Sequence, residues 1–415
     1  MGRQRYLVLA AFVAAPLLIA LTARQWESLR PQAPELRAEA SLVVISGRDS
    51  GGGTLREALT AAARSDGRVR IVINPRRIKL LSPLPPLVNA RGIVLDATES
   101  RCEIDAGAIG DIPALQIIAP GTTISGLRIR NARDAGILVR APRVTLRNVA
   151  ITDSADGVVF AGARSSLIES SLFERNTNGV RIDSTSSDLA VRGCTFRRHD
   201  GAGIWAVTGA RNNASALRIE NNEFHDDRVS IVVVNLAATL TKNEIRGAVE
   251  NAIYVMQSRV VARSNRILGG AAGGILADRS DNLLLERNEI DHNAAVGVLI
   301  RSCRNAAVQR NLVYANAYGI ANIFGDAGAP NVIADNLVMS NRIDGLFVVG
   351  SSPLLRANRL LQNGGAAARV LDYVPWNGPR VGADPRFDAN TLTGNKINMA
   401  VRGEYRPRRE PEARR

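Results

Sequence analysis

The sequence is poor in the side chains on which much protein chemistry depends. Of 415 residues, three are histidine, three cysteine and four methionine, and aromatic residues make up 4%. Cys102, Cys194 and Cys303 fall in no metal-binding spacing. Their odd number argues against a full disulfide framework. Buried free thiols are the simplest account, with a Cys102 pairing left open. The formal net charge is +14, which invites a polyanionic partner. With so few aromatics and no known binding motif, nucleic acid is the least suited of these. Gly51-Gly52-Gly53 lacks the Gly-Lys-Ser/Thr of a phosphate loop and reads as a structural turn. One long uncharged run stands out, Tyr6 to Ala23, preceded by Arg3 and Arg5. It lies at the border between a signal peptide and a membrane span, and no clean small-x-small cleavage site follows it. Residues 1–23 are therefore expected to be a signal peptide or an N-terminal membrane anchor. Either way the two arginines stay in the cytoplasm and the body lies outside it. The protein is expected to be periplasmic or secreted, held at the inner membrane by residues 6–23 if they are uncleaved.

What the sequence does have is a repeat. Asn288-Glu289-Ile290 is followed 23 residues later by Asn311-Leu312-Val313, and 25 after that by Asn336-Leu337-Val338. The same register runs through Ser125, Asn148, Ser171, Cys194, Asn222, Asn243, Asn265 and Asn358. A fixed period of this kind marks a solenoid. Between anchors apolar residues alternate, as in Val144-Leu146 and Val158-Phe160, which is strand periodicity. Three short strands and three turns fill each repeat, so each repeat closes one coil. Successive coils then pair in parallel, and eleven of them span roughly 50 Å. A leucine-rich repeat would need a regular leucine and a helical half, and both are missing. Asn suits the anchor because it tolerates left-handed turns and bonds to neighbouring backbone. Stacked anchors would form an internal amide ladder.

On these residues the chain resembles the right-handed parallel β-helix superfamily of pectate lyases, polysaccharide epimerases and related carbohydrate-binding proteins, over about residues 41–390. The resemblance implies an all-β fold: a single-stranded right-handed parallel β-helix of about 11–13 coils. It leaves activity open, because the superfamily holds lyases, hydrolases, epimerases and inert adhesins. Several enzyme motifs are absent. Pectate lyases often carry Asp-His before the cysteine, where this chain has Arg192-Gly193 ahead of Cys194. The polygalacturonase motifs do not occur. Of the Asp-Pro-His-Asp of alginate epimerases, Arg198-His199-Asp200 keeps only the His-Asp half. Three His and four Met are too few for a copper-handling β-helix.

In chain order, residues 24–40 read as a polar linker and Leu42–Ile45 as a first strand. Thr54–Ala63 forms an amphipathic helix with Thr54 as N-cap and Glu57 at the capping-box position. It resembles the N-terminal capping helix of β-helix proteins, which shields an otherwise open strand edge. Regular coils follow from Ile124 to about Leu361. Insertions at Thr208–Ala216 and Phe324–Pro330 lengthen two repeats, and such loops usually build the binding face. Val381–Phe387 resembles a C-terminal cap, and residues 391–415 are expected to be a basic, disordered tail. Residues 1–40 hold five Lys+Arg against three Glu and residues 402–415 hold six Arg against three Glu, leaving +9 on residues 41–401.

By analogy with the superfamily, the strand after each glycine floors the substrate groove. Its outward series is Leu138, Val159, Arg181, Trp205, Val232, Tyr254, Leu276 and Leu299. The turn before each strand gathers Arg198-His199-Asp200, His225-Asp226-Asp227-Arg228 and Asp291-His292. Removing the proton next to a uronate carboxyl needs a base, a cation to neutralise the carboxylate, and an acid. His199, Asp200, His225, Arg228 and Arg181 are the candidate catalytic set. Trp205 and Tyr254 would stack on sugar rings, with Arg198, His292 and Arg301 as further substrate contacts. Asp226 and Asp227 are the candidate calcium ligands, calcium being the one cofactor considered. The expected function is an extracytoplasmic β-helix protein engaging an acidic polysaccharide, as a polyuronate lyase or C5-epimerase or as a non-catalytic binder and scaffold. It is expected to act as a monomer.

Overall fold

The structure, a computed structural model, describes residues 40–374 and 379–403, including all side chains there except those of residues 210–215. The expected signal or anchor at 6–23, the linker up to residue 39 and the last residues of the tail, 404–415, lie outside the described residues. The described chain is an all-β, right-handed parallel solenoid of about 13 turns. Each turn visits three faces. In one example Leu284–Glu286 lies on the third face, Glu289–Asp291 on the first and Val296–Arg301 on the second, before Ala307–Gln309 begins the next turn. The first face is a separate sheet of 14 strands. The other two merge into one sheet of 26, because Ala202–Glu220 and Val229–Thr241 run through the turn between them. The insertion expected at 208–216 is thus an extended ribbon with shifted register, not a free loop.

Strand periodicity places every second side chain inside. The three-residue strands of the first face bury their middle residue: Ile151, Phe173, Phe196, Phe224 and Ile245 stack there, all at most 1% exposed. Phe173, Phe196 and Phe224 are parallel, with ring centroids 5.0 and 4.7 Å apart. Where a glycine stands at the start of a second-face strand, as at Gly157, Gly179 and Gly203, it makes room for this stack. A Cβ on Gly179 would lie 2.6 Å from Cδ1 of Phe196 and 2.5 Å from the carbonyl oxygen of Gly203.

The amide ladder is present. Cys194 N donates to Asn222 Oδ1 at 2.9 Å, and both N and Nδ2 of Asn222 donate to Asn243 Oδ1. The pattern repeats through Asn265, Asn288, Asn311, Asn336 and Asn358 to Asn390. Two expected members are corrected. Asn148 has φ 51° and occupies the exposed left-handed position before the slot, which Val149 fills. Ser125 ends a strand, and Leu127 takes the inward place. The stack also continues past residue 390, through Thr391–Thr393 and Ile397–Arg402.

The one α-helix among the described residues, Leu55–Ala63, follows the strand Ala40–Val44. Thr54 Oγ1 accepts from Glu57 N, while Glu57 Oε2 reaches back to Gly53 N at 2.6 Å. Leu55, Ala58, Leu59 and Ala62 are buried in the common core. All three cysteines are free and buried.

Candidate functional site

The outer face of the second-face strands carries the expected series in register. Leu138, Val159, Arg181, Trp205, Val232, Tyr254, Leu276 and Leu299 are direct neighbours from one coil to the next. Around Trp205 this face is apolar. Ala202, Val232 and Val234, with Val207, Val229, Tyr254 and Met256 against them, form a hydrophobic cluster separate from the core. Trp205 stands out from it, 39% exposed.

Charged groups on this face are locked in place. Arg181 Nε donates to Asp156 Oδ2 at 2.5 Å, and Asp156 also accepts from Asn178 Nδ2. Two residues beyond the central row, Arg301 Nε donates to Asp278 Oδ1 at 3.0 Å and Arg279 Nε to Oδ2. Burial alone would raise the Asp278 carboxyl, but the hydrogen bonds and charges of Arg301 and Arg279 outweigh it and hold it below its ordinary value. The bond to Asp278 in turn raises Arg301, with a smaller contribution from nearby Tyr254. The structure thus brings Arg181, Trp205, Tyr254 and Arg301 together on one face.

It does not bring the three histidines together. His199 occupies a second internal ladder that the sequence reading missed. Asn176 precedes it and Asp227 follows, and the ladder resumes as Asn293, Asn316, Asn341, Asn363 and Asn395. Nδ1 of His199 lies 2.6 Å from Asp227 Oδ1, both side chains have 0% exposure, and the ring sits 6.1 Å from that of Phe196. His225 projects from the outside of the first face, with Nε2 3.6 Å from Glu223 Oε2. His199 is therefore not a groove base, and His225 belongs to a different sheet from Arg181. The signal for the second ladder is a constant offset: His199, Asp227, Asn293, Asn316, Asn341 and Asn363 each lie five residues after an anchor.

The remaining candidates sit in the turn between first and second faces. Arg198 pairs with Glu174 and Arg228 with Glu250, both at 2.8 Å and each across one coil, while Asp200 is exposed. Asp226 is exposed and Asp227 buried, so the structure places the two carboxylates in different surroundings. Among the described residues no group of three or more His, Cys, Asp or Glu side chains is arranged to hold a metal ion. His292 differs from the other histidines. Its ring is 63% exposed, Nδ1 lies 2.6 Å from Oδ1 of the fully buried Asp291, and it meets Tyr314 edge-on at 5.9 Å. Burial and the charge of Asp291 push the Tyr314 phenol up to about 12. Elsewhere, a depression of about 560 Å³ opens beside the ladder turn, lined by Arg101, Arg128, Asn148 and Gly193 among others, and holds none of the candidate residues.

A family model for the right-handed β-helix region matches residues 91–216 and 210–361, and the chain belongs to that family. No curated protein matches the sequence. Among solved structures it is similar to the A-module of mannuronan C-5 epimerase AlgE4 of Azotobacter vinelandii. That likeness has a TM-score of 0.51 at 13% identity, over 87% of this chain and 96% of that one. The AlgE6 A-module of the same organism is similar at TM-score 0.50 and 12% identity, over 88% and 97%. A periplasmic alginate epimerase, AlgG, is similar at TM-score 0.44 and 14% identity, over 73% and 76%. At these identities the likeness is one of fold.

Proposed function

We propose that the protein engages an acidic polysaccharide along the outside of its second face. One observation carries this reading: an apolar, aromatic floor around Trp205 and Tyr254, with Arg181 beside it in register and Arg301 on the same face two residues outside the row. Aromatic rings pack on the apolar faces of sugars, and guanidinium groups donate paired hydrogen bonds to carboxylates. The two A-modules of like fold belong to mannuronan C-5 epimerases, and mannuronan is an acidic glycan, which supports a substrate of that class. The net charge of +9 over residues 41–401 points the same way. The body is taken to lie outside the cytoplasm, where such polymers occur.

Binding is favoured over catalysis because Arg198 and Arg228 are held in coil-to-coil ion pairs, His199 is buried, His225 lies on the first face and His292 packs against Tyr314 of that face. A catalytic reading has one observation behind it. The contact of Asp291 with His292 fixes one imidazole nitrogen and leaves the other in solvent, as a general base requires. Titration of the purified protein with polyuronates and with neutral glucans tests the first reading. Selective uptake of the polyuronates is expected, and equal or no uptake would overturn it. Ultraviolet absorbance of unsaturated uronate, together with solvent exchange of the C5 proton, tests the second. Activity lost in His292→Ala and kept in His225→Ala would establish it.

A further inference from the structure

The outward row does not end at Leu299. Register carries it through Ala321 and Phe347 to Arg369. A second set of groups converges there. The ring of Tyr318 lies 5.4 Å from that of Phe347, tilted by 48°. Arg369 follows Phe347 on the next coil and is clamped by Asp344, with Nε to Oδ2 at 2.6 Å and Nη2 to Oδ1 at 3.0 Å. Asp344 has 0% exposure and also accepts from Ala366 N at 2.7 Å, so it serves as a buried anchor. The bond to Asp344 raises Arg369, and Tyr318 adds to the effect. A third of the Arg369 side chain remains in solvent. This is the arrangement of Asp156 and Arg181, repeated eight strands along the same row. Arg342, two residues before Asp344, is exposed as well, so this end of the face is basic.

We propose that Tyr318, Phe347 and Arg369 form a second saccharide subsite, which holds an acidic sugar of the same chain that crosses Trp205 and Tyr254. It rests on the reading of the second face as a polysaccharide groove. The sugar's apolar side lies on Phe347 and its carboxylate on the free N–H groups of Arg369. Phe347 is four coils beyond Tyr254, roughly 19 Å at the parallel-strand spacing. A polymer spans both subsites, while a short oligosaccharide occupies one at a time. Two linked contacts raise affinity through effective concentration, without any new interaction.

The test is calorimetric titration of the full chain with a long polyuronate and with short oligomers of the same sugar. It compares wild type with Phe347→Ala, Arg369→Lys and Trp205→Ala. All three side chains face outward, and lysine keeps Asp344 paired; circular dichroism melts confirm folding. Phe347→Ala and Arg369→Lys are each expected to weaken the long polymer about tenfold or more. They should also abolish one of the two sites for short oligomers. Unchanged polymer affinity in both, with a loss in Trp205→Ala, would overturn the second subsite and leave the first reading standing. Loss in Phe347→Ala but not in Trp205→Ala would instead overturn the Trp205 floor and place binding at Phe347 alone. No binding by wild type would overturn both.

Discussion

His199 sits among core side chains rather than in solvent, and its imidazole does the work that asparagine does in other coils. Its ring reaches Asp227 on one side and lies 3.5 Å from Asn176 Nδ2 on the other. His199→Ala should lower stability by about 3 kcal/mol, because it opens a cavity and strips Asp227 of its partner. His199→Asn, the residue other coils use, should recover much of that loss. Denaturant titration reads both, and polysaccharide affinity should not change in either. A binding loss in the stable Asn variant would restore His199 as a site residue. The carboxylates give a second residue-scale prediction. Asp278 is held low despite its burial, and Glu169 through hydrogen bonds to Arg192 and Arg147. A depressed folded-state value means the stabilisation is complete above the unfolded values, 3.8 for Asp and 4.5 for Glu, and is lost as pH falls below them. Urea midpoints should stay level down to about pH 5 and fall below about pH 4, less steeply in Asp278→Asn.

At the scale of elements, the repeat was legible because strand alternation and a recurring asparagine are local. The outward row was legible for the same reason: once strand starts are known, parity fixes which side chains face out. The functional assignment of the histidines was not legible from the same pattern. The last residue of a first-face strand and the two that follow it are in turn outward, left-handed and inward, so His225, His292 and His199 look alike in sequence and differ completely in space. Asn148 was misplaced by the same one-residue ambiguity. The glycine column offers a clean test of the packing account. Gly179→Ala should cost about 3 kcal/mol through overlap with Phe196 and the Gly203 carbonyl. Gly67→Ala, where a Cβ meets nothing within 4 Å, should be close to neutral. Equal melting temperatures for the two would contradict the close approach. Leu59 of the helix Leu55–Ala63 is 1% exposed in the common core, so Leu59→Asp, which buries an unpaired carboxylate there, should lower stability by about 3 kcal/mol, read by denaturant titration.

At the scale of the whole molecule, the stack of coils repeats one outward row at a constant step, and a linear polymer has the same one-dimensional symmetry. Many of the described carboxylates are paired with arginines of neighbouring coils, as Glu169 is with Arg147 and Arg192 on either side. The excess of arginine is therefore felt as a diffuse positive field, and affinity for a polyanion should fall steadily as salt rises. The measurement that bears most directly on the central claim compares the affinity of wild type, Trp205→Ala with Tyr254→Ala, and Leu172→Ala for one polyuronate at fixed salt. Leu172 faces outward on the first face and serves as the control. The account predicts that the double variant loses about 2 kcal/mol or more of binding while Leu172→Ala matches wild type. Unchanged binding in the double variant, or an equal loss in Leu172→Ala, would contradict a groove on the second face.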